Sequence, residues 1–129
     1  MSRQPPDVGY EQTPEWMLVH ARGVFALAWF KAFIREVIAT AQATVPVPRA
    51  LLIDIRELTD ARMSDVDRYD LGVLAARDSI GVPIALVGPE SMVDARRFGE
   101  SVARNRGLNL RVFTDLDEAM AWLRTPGRG

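Results

Sequence analysis

The run Leu51-Leu52-Ile53-Asp54-Ile55 is apolar at every position but one. A short stretch without polar alternation fits a strand covered on both faces, which is how parallel sheets are built. Its neighbours in sequence supply the covering. From Leu27 to Gln42, the residues Phe30, Phe33, Ile34, Val37, Ile38 and Ala41 recur at spacings of three and four, the period of an amphipathic helix. Val45-Pro46-Val47-Pro48 then stops that helix, because a residue before proline is pushed out of the helical region. A buried strand preceded by a helix of this kind implies a strand–helix–strand crossover.

The same grammar repeats along the chain. Between Trp16 and Arg22, Trp16, Leu18 and His20 alternate with Met17, Val19 and Ala21, which reads as a strand ended by Gly23. The polar, proline-bearing residues 1–14 read as a flexible arm with a short edge strand near Val8–Gln12. After the central strand, a loop through Glu57–Met63 leads to Ser64-Asp65-Val66-Asp67, which has capping-box spacing. The helix it opens is expected to bury Val66, Tyr69, Val73, Ala76 and Ile80 and to end at Gly81. Pro83–Val87 is a further strand, closed by Gly88-Pro89. Ser91 or Asp94 caps another helix that buries Phe98 and Val102 and ends at Gly107. Leu108–Phe113 is the last strand. Thr114-Asp115-Leu116-Asp117 caps a helix whose inward residues are Leu116, Ala119 and Leu123. The expected architecture is one α/β domain over 15–124, with a mainly parallel sheet of four to five strands, about four helices and a loose tail over 125–129.

Composition restricts the chemistry. The 129 residues include no cysteine and one histidine, which excludes disulfides, thiol nucleophiles and thiolate zinc sites. Sixteen basic residues against seventeen acidic ones give a net charge of −1, without the basic excess of a nucleic-acid binder. No metal or cofactor is expected. The first fourteen residues lack the apolar core of a signal peptide, and Val24–Phe30 is far short of the ~20 residues a spanning helix needs. The chain reads as cytoplasmic, with no transmembrane segment.

Several stretches resemble a known family. Leu51–Arg56 followed by Asp67-Arg68-Tyr69-Asp70-Leu71-Gly72 is similar to the SpoIIAA-like branch of the STAS domains (sulfate transporters and anti-sigma factor antagonists). So are Arg97-Phe98-Gly99-Glu100 with Ala103–Gly107, and Val112–Ala119 with Trp122-Leu123. The resemblance spans roughly residues 16–123 in order and spacing. It implies a small non-enzymatic SpoIIAA-like/STAS sandwich that binds a partner kinase or anti-sigma factor. It also implies a switch: a Ser or Thr, at the start of the helix after a central strand, that is phosphorylated. A similarity in fold to lipid-carrying domains implies an alternative role as carrier of an apolar ligand with reversible membrane contact.

The candidate residues follow from these readings. Ser64 stands near the switch position, where backbone N–H groups favour a phosphate. However, Met63 replaces the aspartate that the family motif puts before the serine, and Asp65 and Asp67 would repel an added phosphate. A plain N-cap explains Ser64 as well. Asp54, Arg56, Asp60, Arg62, Gly88, Ser91 and Thr114 form a candidate binding edge at the loop-bearing ends of the strands. Asp54 and Asp60 also raise a metal-dependent hydrolase as a remote reading, against a structural one in which Asp54 pairs with Arg56 or Arg62. Gly88–Ser91 lacks the lysine and glycine spacing of a phosphate loop and reads as a turn. Residues 54–70 carry six acids against three arginines, whereas 94–111 carry five arginines against Asp94 and Glu100. A docking partner or a solvated helix face would each account for that polarity. On the first helix, apolar residues spread over roughly 180°, more than the ~100° a sheet contact needs. Trp29, Phe30, Phe33 and Ile34 are therefore candidates for a pocket, a protein interface or extra core. His20, flanked by apolar residues, is expected to be structural.

Overall fold

The structure is a computed structural model that describes residues 4–77, 81–92, 101, 104, 105, 107 and 109–125. Five strands form one sheet in the order β1-β2-β3-β4-β5. They are β1 (Asp7–Gln12), β2 (Met17–Val24), β3 (Leu51–Thr59), β4 (Ile84–Val87) and β5 (Leu110–Phe113). β1 pairs antiparallel with β2, and the other neighbours are parallel. Helices α1 (Leu27–Ala43), α2 (Asp65–Arg77) and α3 (Leu116–Arg124) pack on this sheet. The expected helix carrying Phe98 and Val102 falls largely outside the described residues.

The spatial order follows the chain order, and this decides which face each helix takes. Right-handed crossovers between successive parallel strands place their helices on one side. Accordingly, α1 and α2 share a face. Phe30, Phe33, Val37, Ala41 and Leu71 pack there on Met17, Val19 and Ala21 of β2, Leu51, Ile53 and Ile55 of β3, and Ile84 of β4. Among the described helices α3, which follows the last strand, turns to the other face. There Ala119 and Leu123 cover Trp16, Ala50, Leu52, Ala85 and Val87. The alternation expected in β2 is thus realised, with Trp16 and Leu18 on the α3 side and Met17, Val19 and Ala21 on the other.

Four expectations are corrected. β3 does not end at Ile55 but runs to Thr59, and β2 runs past Gly23 to Val24. Past Asp54 a bulge sets Ile55 and Arg56 of β3 against the single residue Ala21 of β2. Pairing resumes from Arg22–Glu57 to Val24–Thr59, so buried Leu58 stays in the core although Arg56 and Glu57 look like loop. In α2 the expected inward face is wrong at its start. Val66 and Tyr69 are exposed, while Leu71 and Gly72 are the buried residues. Half-buried Ala75 and Ala76 continue the packing of Leu71 into the core that α2 shares with α1. At α3 the cap is Asp115 rather than Thr114, its carboxylate accepting from Glu118 N at 3.3 Å.

Candidate functional site

α3 is nine residues long, so at ~1.5 Å per residue it covers only about 14 Å of its face of the sheet. Among the described residues α3 lies on β3, β4 and β5, and towards β2 it reaches only Trp16 and Leu18. Cross-strand register fixes what stands beside it. One row across the sheet reads Gly9, His20, Asp54, Val87 and Phe113, from β1 to β5, with Val87 and Phe113 in the layer under α3. The next row towards the C-terminal end of β3 reads Asp7, Arg22 and Glu57.

Asp54 is half-buried at the centre of this surface and is held by the residue two positions on. Its Oδ1 accepts from the backbone N of Arg56 at 3.1 Å and from Nε at 2.9 Å, while Oδ2 accepts from Nη2 at 2.8 Å. Burial works to raise the carboxyl pKa, but the Arg56 hydrogen bonds and charge, with a contribution from His20, outweigh it and hold the group below the usual carboxylate value. Arg56 in turn is raised above the usual arginine value, chiefly by its bond to Asp54, with Asp115 and Glu57 adding to the field. The Arg56 fork is therefore fixed in direction, since a bidentate pair sets the guanidinium plane.

His20 lies across β1. A Cβ built on Gly9 would stand 2.3 Å from His20 Nε2 and 2.4 Å from Cε1, so the imidazole occupies the space a side chain would fill. Glycine within a strand often marks such a close approach. His20 is exposed and is the lateral neighbour of Asp54 rather than a core residue. Sequence reasoning missed this contact, because neither residue shows its partner until the register of β1 on β2 is known.

The expected binding edge divides into two levels. Asp54, Arg56, Gly88 and Thr114 cluster where β4 and β5 end, with Gly88 N donating to Phe113 O at 2.9 Å. Gly88–Met92 forms a turn closed by Met92 N donating to Pro89 O at 2.9 Å, with Ser91 exposed. β3 continues five residues beyond Asp54, ~17 Å at 3.3 Å per residue, before Asp60, Arg62 and Ser64. Asp60 takes a left-handed backbone at φ 58°, which turns the chain back towards α2.

Ser64 caps α2 in the reciprocal way its spacing suggests. Its N donates to Asp67 Oδ2 at 3.1 Å, and Asp67 N donates to Ser64 Oγ at 3.1 Å. The hydroxyl is exposed and already used as an acceptor.

Trp29, Phe30, Phe33 and Ile34 fill the layer between α1 and the sheet. Phe30 and Phe33 are buried, and Trp29 and Ile34 are half-buried against the same cluster. Trp29 stacks on Phe33 with centroids 4.9 Å apart, and Phe25 meets Phe30 at 5.4 Å. An open cavity of about 470 Å³ lies elsewhere on α1, lined by Ala32, Arg35, Glu36, Ile38, Ala39 and Gln42 among the described residues. Among the described residues no group of three or more His, Cys, Asp or Glu is placed to hold a metal ion, and no helix is long and apolar enough to cross a membrane.

No family model and no curated protein matches the chain. Among solved structures, the crystal structure of an anti-sigma factor antagonist from Mycobacterium paratuberculosis matches over 93% of this chain and 95% of that one. The TM-score is 0.57 at 17% identity. The chain has a STAS-like fold. The near-complete coverage of both chains means that the strands and helices described above correspond as a whole domain, not as a shared fragment.

Proposed function

We propose that this chain is a non-enzymatic STAS-like regulatory module that binds a protein partner through the loop-bearing edge of its sheet. The observation that carries the reading is the match in fold, over nearly the full length of both chains, to an anti-sigma factor antagonist. The edge has the groups such docking uses. Arg56 is oriented by Asp54, Ser91 and Thr114 are exposed, and α2 begins at Ser64. Specific partner surfaces of this kind derive selectivity from fixed charges more than from area. In this reading Ser64 is a structural cap, and docking does not require a phosphate on it. A phosphoryl group would displace the Asp67 backbone bond and sit beside two carboxylates.

The test is titration calorimetry of the full chain against the anti-sigma factor kinase domains of its own genome. A saturable one-to-one complex with one of them, weakened at least tenfold by Arg56→Glu, supports the proposal. Absence of binding to every such domain at protein concentrations of about 100 micromolar, which would detect even a weak complex, contradicts it.

A further inference from the structure

β1 is the edge of the sheet, and its outer side has a defined hydrogen-bonding pattern. Thr13 N donates to Trp16 O at 2.9 Å, and Met17 N donates away from β1, to Ala50 O at 3.0 Å. Antiparallel pairs alternate between bonded and non-bonded. With the register Gln12–Met17 to Asp7–Arg22, the bonded residues of β1 are therefore Asp7, Gly9 and Glu11. Val8, Tyr10 and Gln12 point their N–H and C=O groups outwards, and β1 has no strand on that side among the described residues.

The usual protection of such an edge is absent at these three positions. No lysine, proline or other charge stands at Val8, Tyr10 or Gln12. Val8 and Tyr10 are 40% and 39% exposed, apolar side chains on the α1 side of the sheet. Tyr10 is steadied there: burial raises its phenol pKa, with Thr40 and Glu36 of α1 as neighbours.

We propose that this edge pairs with β1 of a second copy, antiparallel and with the two-fold axis at Tyr10. Hydrogen-bonding parity admits only registers that join outward residues to outward residues. A two-fold between Val8 and Tyr10, at Gly9, sets Asp7 against Glu11, a like-charge pair. A two-fold at Tyr10 moves this pair to the diagonal, where Cα atoms stand ~7–8 Å apart. It sets Val8 against Gln12, Tyr10 against Tyr10, Gly9 against Glu11 and Asp7 against Thr13, with no like charges directly opposed. The two five-stranded sheets then continue as one, and aromatic pairs directly opposite each other are among the favourable cross-strand contacts. Six residues a side make a small interface, so the dimer dissociates readily and is populated at high micromolar concentration. This inference stands apart from the proposed partner binding, which uses the loops at the C-terminal ends of β3, β4 and β5.

The absence of native cysteine makes the register directly testable. Bonded antiparallel residues stand ~5.5 Å apart between Cα atoms, within disulfide range. Under mild oxidation Tyr10→Cys should form a covalent dimer at least tenfold faster than Val66→Cys, which places its thiol on the exposed surface of α2. Val8→Cys and Gln12→Cys should each cross-link slowly alone and rapidly when mixed. Circular dichroism checks that each variant is folded, and sedimentation velocity of the unmodified chain supplies a readout independent of any substitution. A Tyr10→Cys rate equal to that of Val66→Cys, fastest cross-linking of Val8→Cys with itself, or a monomer throughout the concentration series overturns the proposal. So does pairing of this edge with another protein's strand while the chain alone stays monomeric.

Discussion

Replacing Gly9 with alanine tests the contact that sets the open sheet surface. The new Cβ would lie 2.3 Å from His20 Nε2, more than 1 Å inside ordinary contact, so the imidazole must swing away. Overpacking costs about 1–3 kcal/mol, and an exposed ring that can move puts this case near the lower end. Against it, alanine in a strand gains about 0.5–1 kcal/mol over glycine. The expected net cost in the native background is therefore about 0.5–1 kcal/mol. In a His20→Ala background the obstruction is gone, and the same substitution should stabilise by about 0.5–1 kcal/mol. The coupling in this double-mutant cycle is then about 1–2 kcal/mol. Urea unfolding measures it: at a slope of about 2 kcal/mol per M, a coupling of about 1.5 kcal/mol separates the midpoint shifts by about 0.7 M. Equal effects of Gly9→Ala in both backgrounds would refute the placement of His20 over β1. The contact also reaches the candidate site. With the ring displaced, Asp54 loses the contribution of His20, and its carboxyl pKa, followed by NMR, should rise towards the ordinary value.

Asp54→Asn tests the Arg56 pairing through pH. Because the folded carboxyl lies below its ordinary value of about 3.9, its contribution is present above that pH and is lost as the pH falls through the folded value. The stability gap to the native chain should be constant from neutral pH to about 5 and shrink below about 4; a gap independent of pH down to about 2.5 contradicts the pairing. Ser64→Ala should cost about 1 kcal/mol by loss of the cap, whereas Ser64→Asp, which keeps an acceptor, should cost only a few tenths in thermal unfolding. Equal losses would argue against the reciprocal cap. Phe33→Ala should cost about 3–5 kcal/mol and half-buried Trp29→Ala about half as much or less. If Phe33→Ala instead left stability unchanged, the aromatic layer would not be core.

The layers of the fold are legible where large apolar residues repeat with a clean period. Leu51–Ile55 and the alternation from Trp16 to His20 define strands, and Phe30 to Ala41 define α1, each falling inside or within a residue of the element observed. The period misleads where packing uses small side chains. On α2, Leu71, Ala75 and Ala76 pack into the core and Gly72 is buried, so Val66 and Tyr69, which are larger, suggest the wrong face. β3 is underestimated because its second half pairs with β2 but not with β4, and Arg56 and Glu57 are exposed. Local capping is legible to within one residue: Ser64 is right, and Thr114 and Asp115 each have an acid three positions on, so sequence alone does not choose between them. The surface joining Gly9, His20, Asp54 and Arg56 depends on cross-strand register, which is set by pairing between segments more than thirty residues apart in part of the chain. Asp54 and Arg56 can be nominated from their place at a strand end. His20 and Gly9 cannot.

The most direct measurement is amide chemical-shift mapping of the labelled full chain during titration with the anti-sigma factor kinase domains proposed as its partners. The account predicts that the largest changes fall on residues 54–64, 88–91 and 114–115, where the parallel strands end and α2 and α3 begin. Changes confined to the outer face of α1 or to β1, with those loops unaffected, would contradict it.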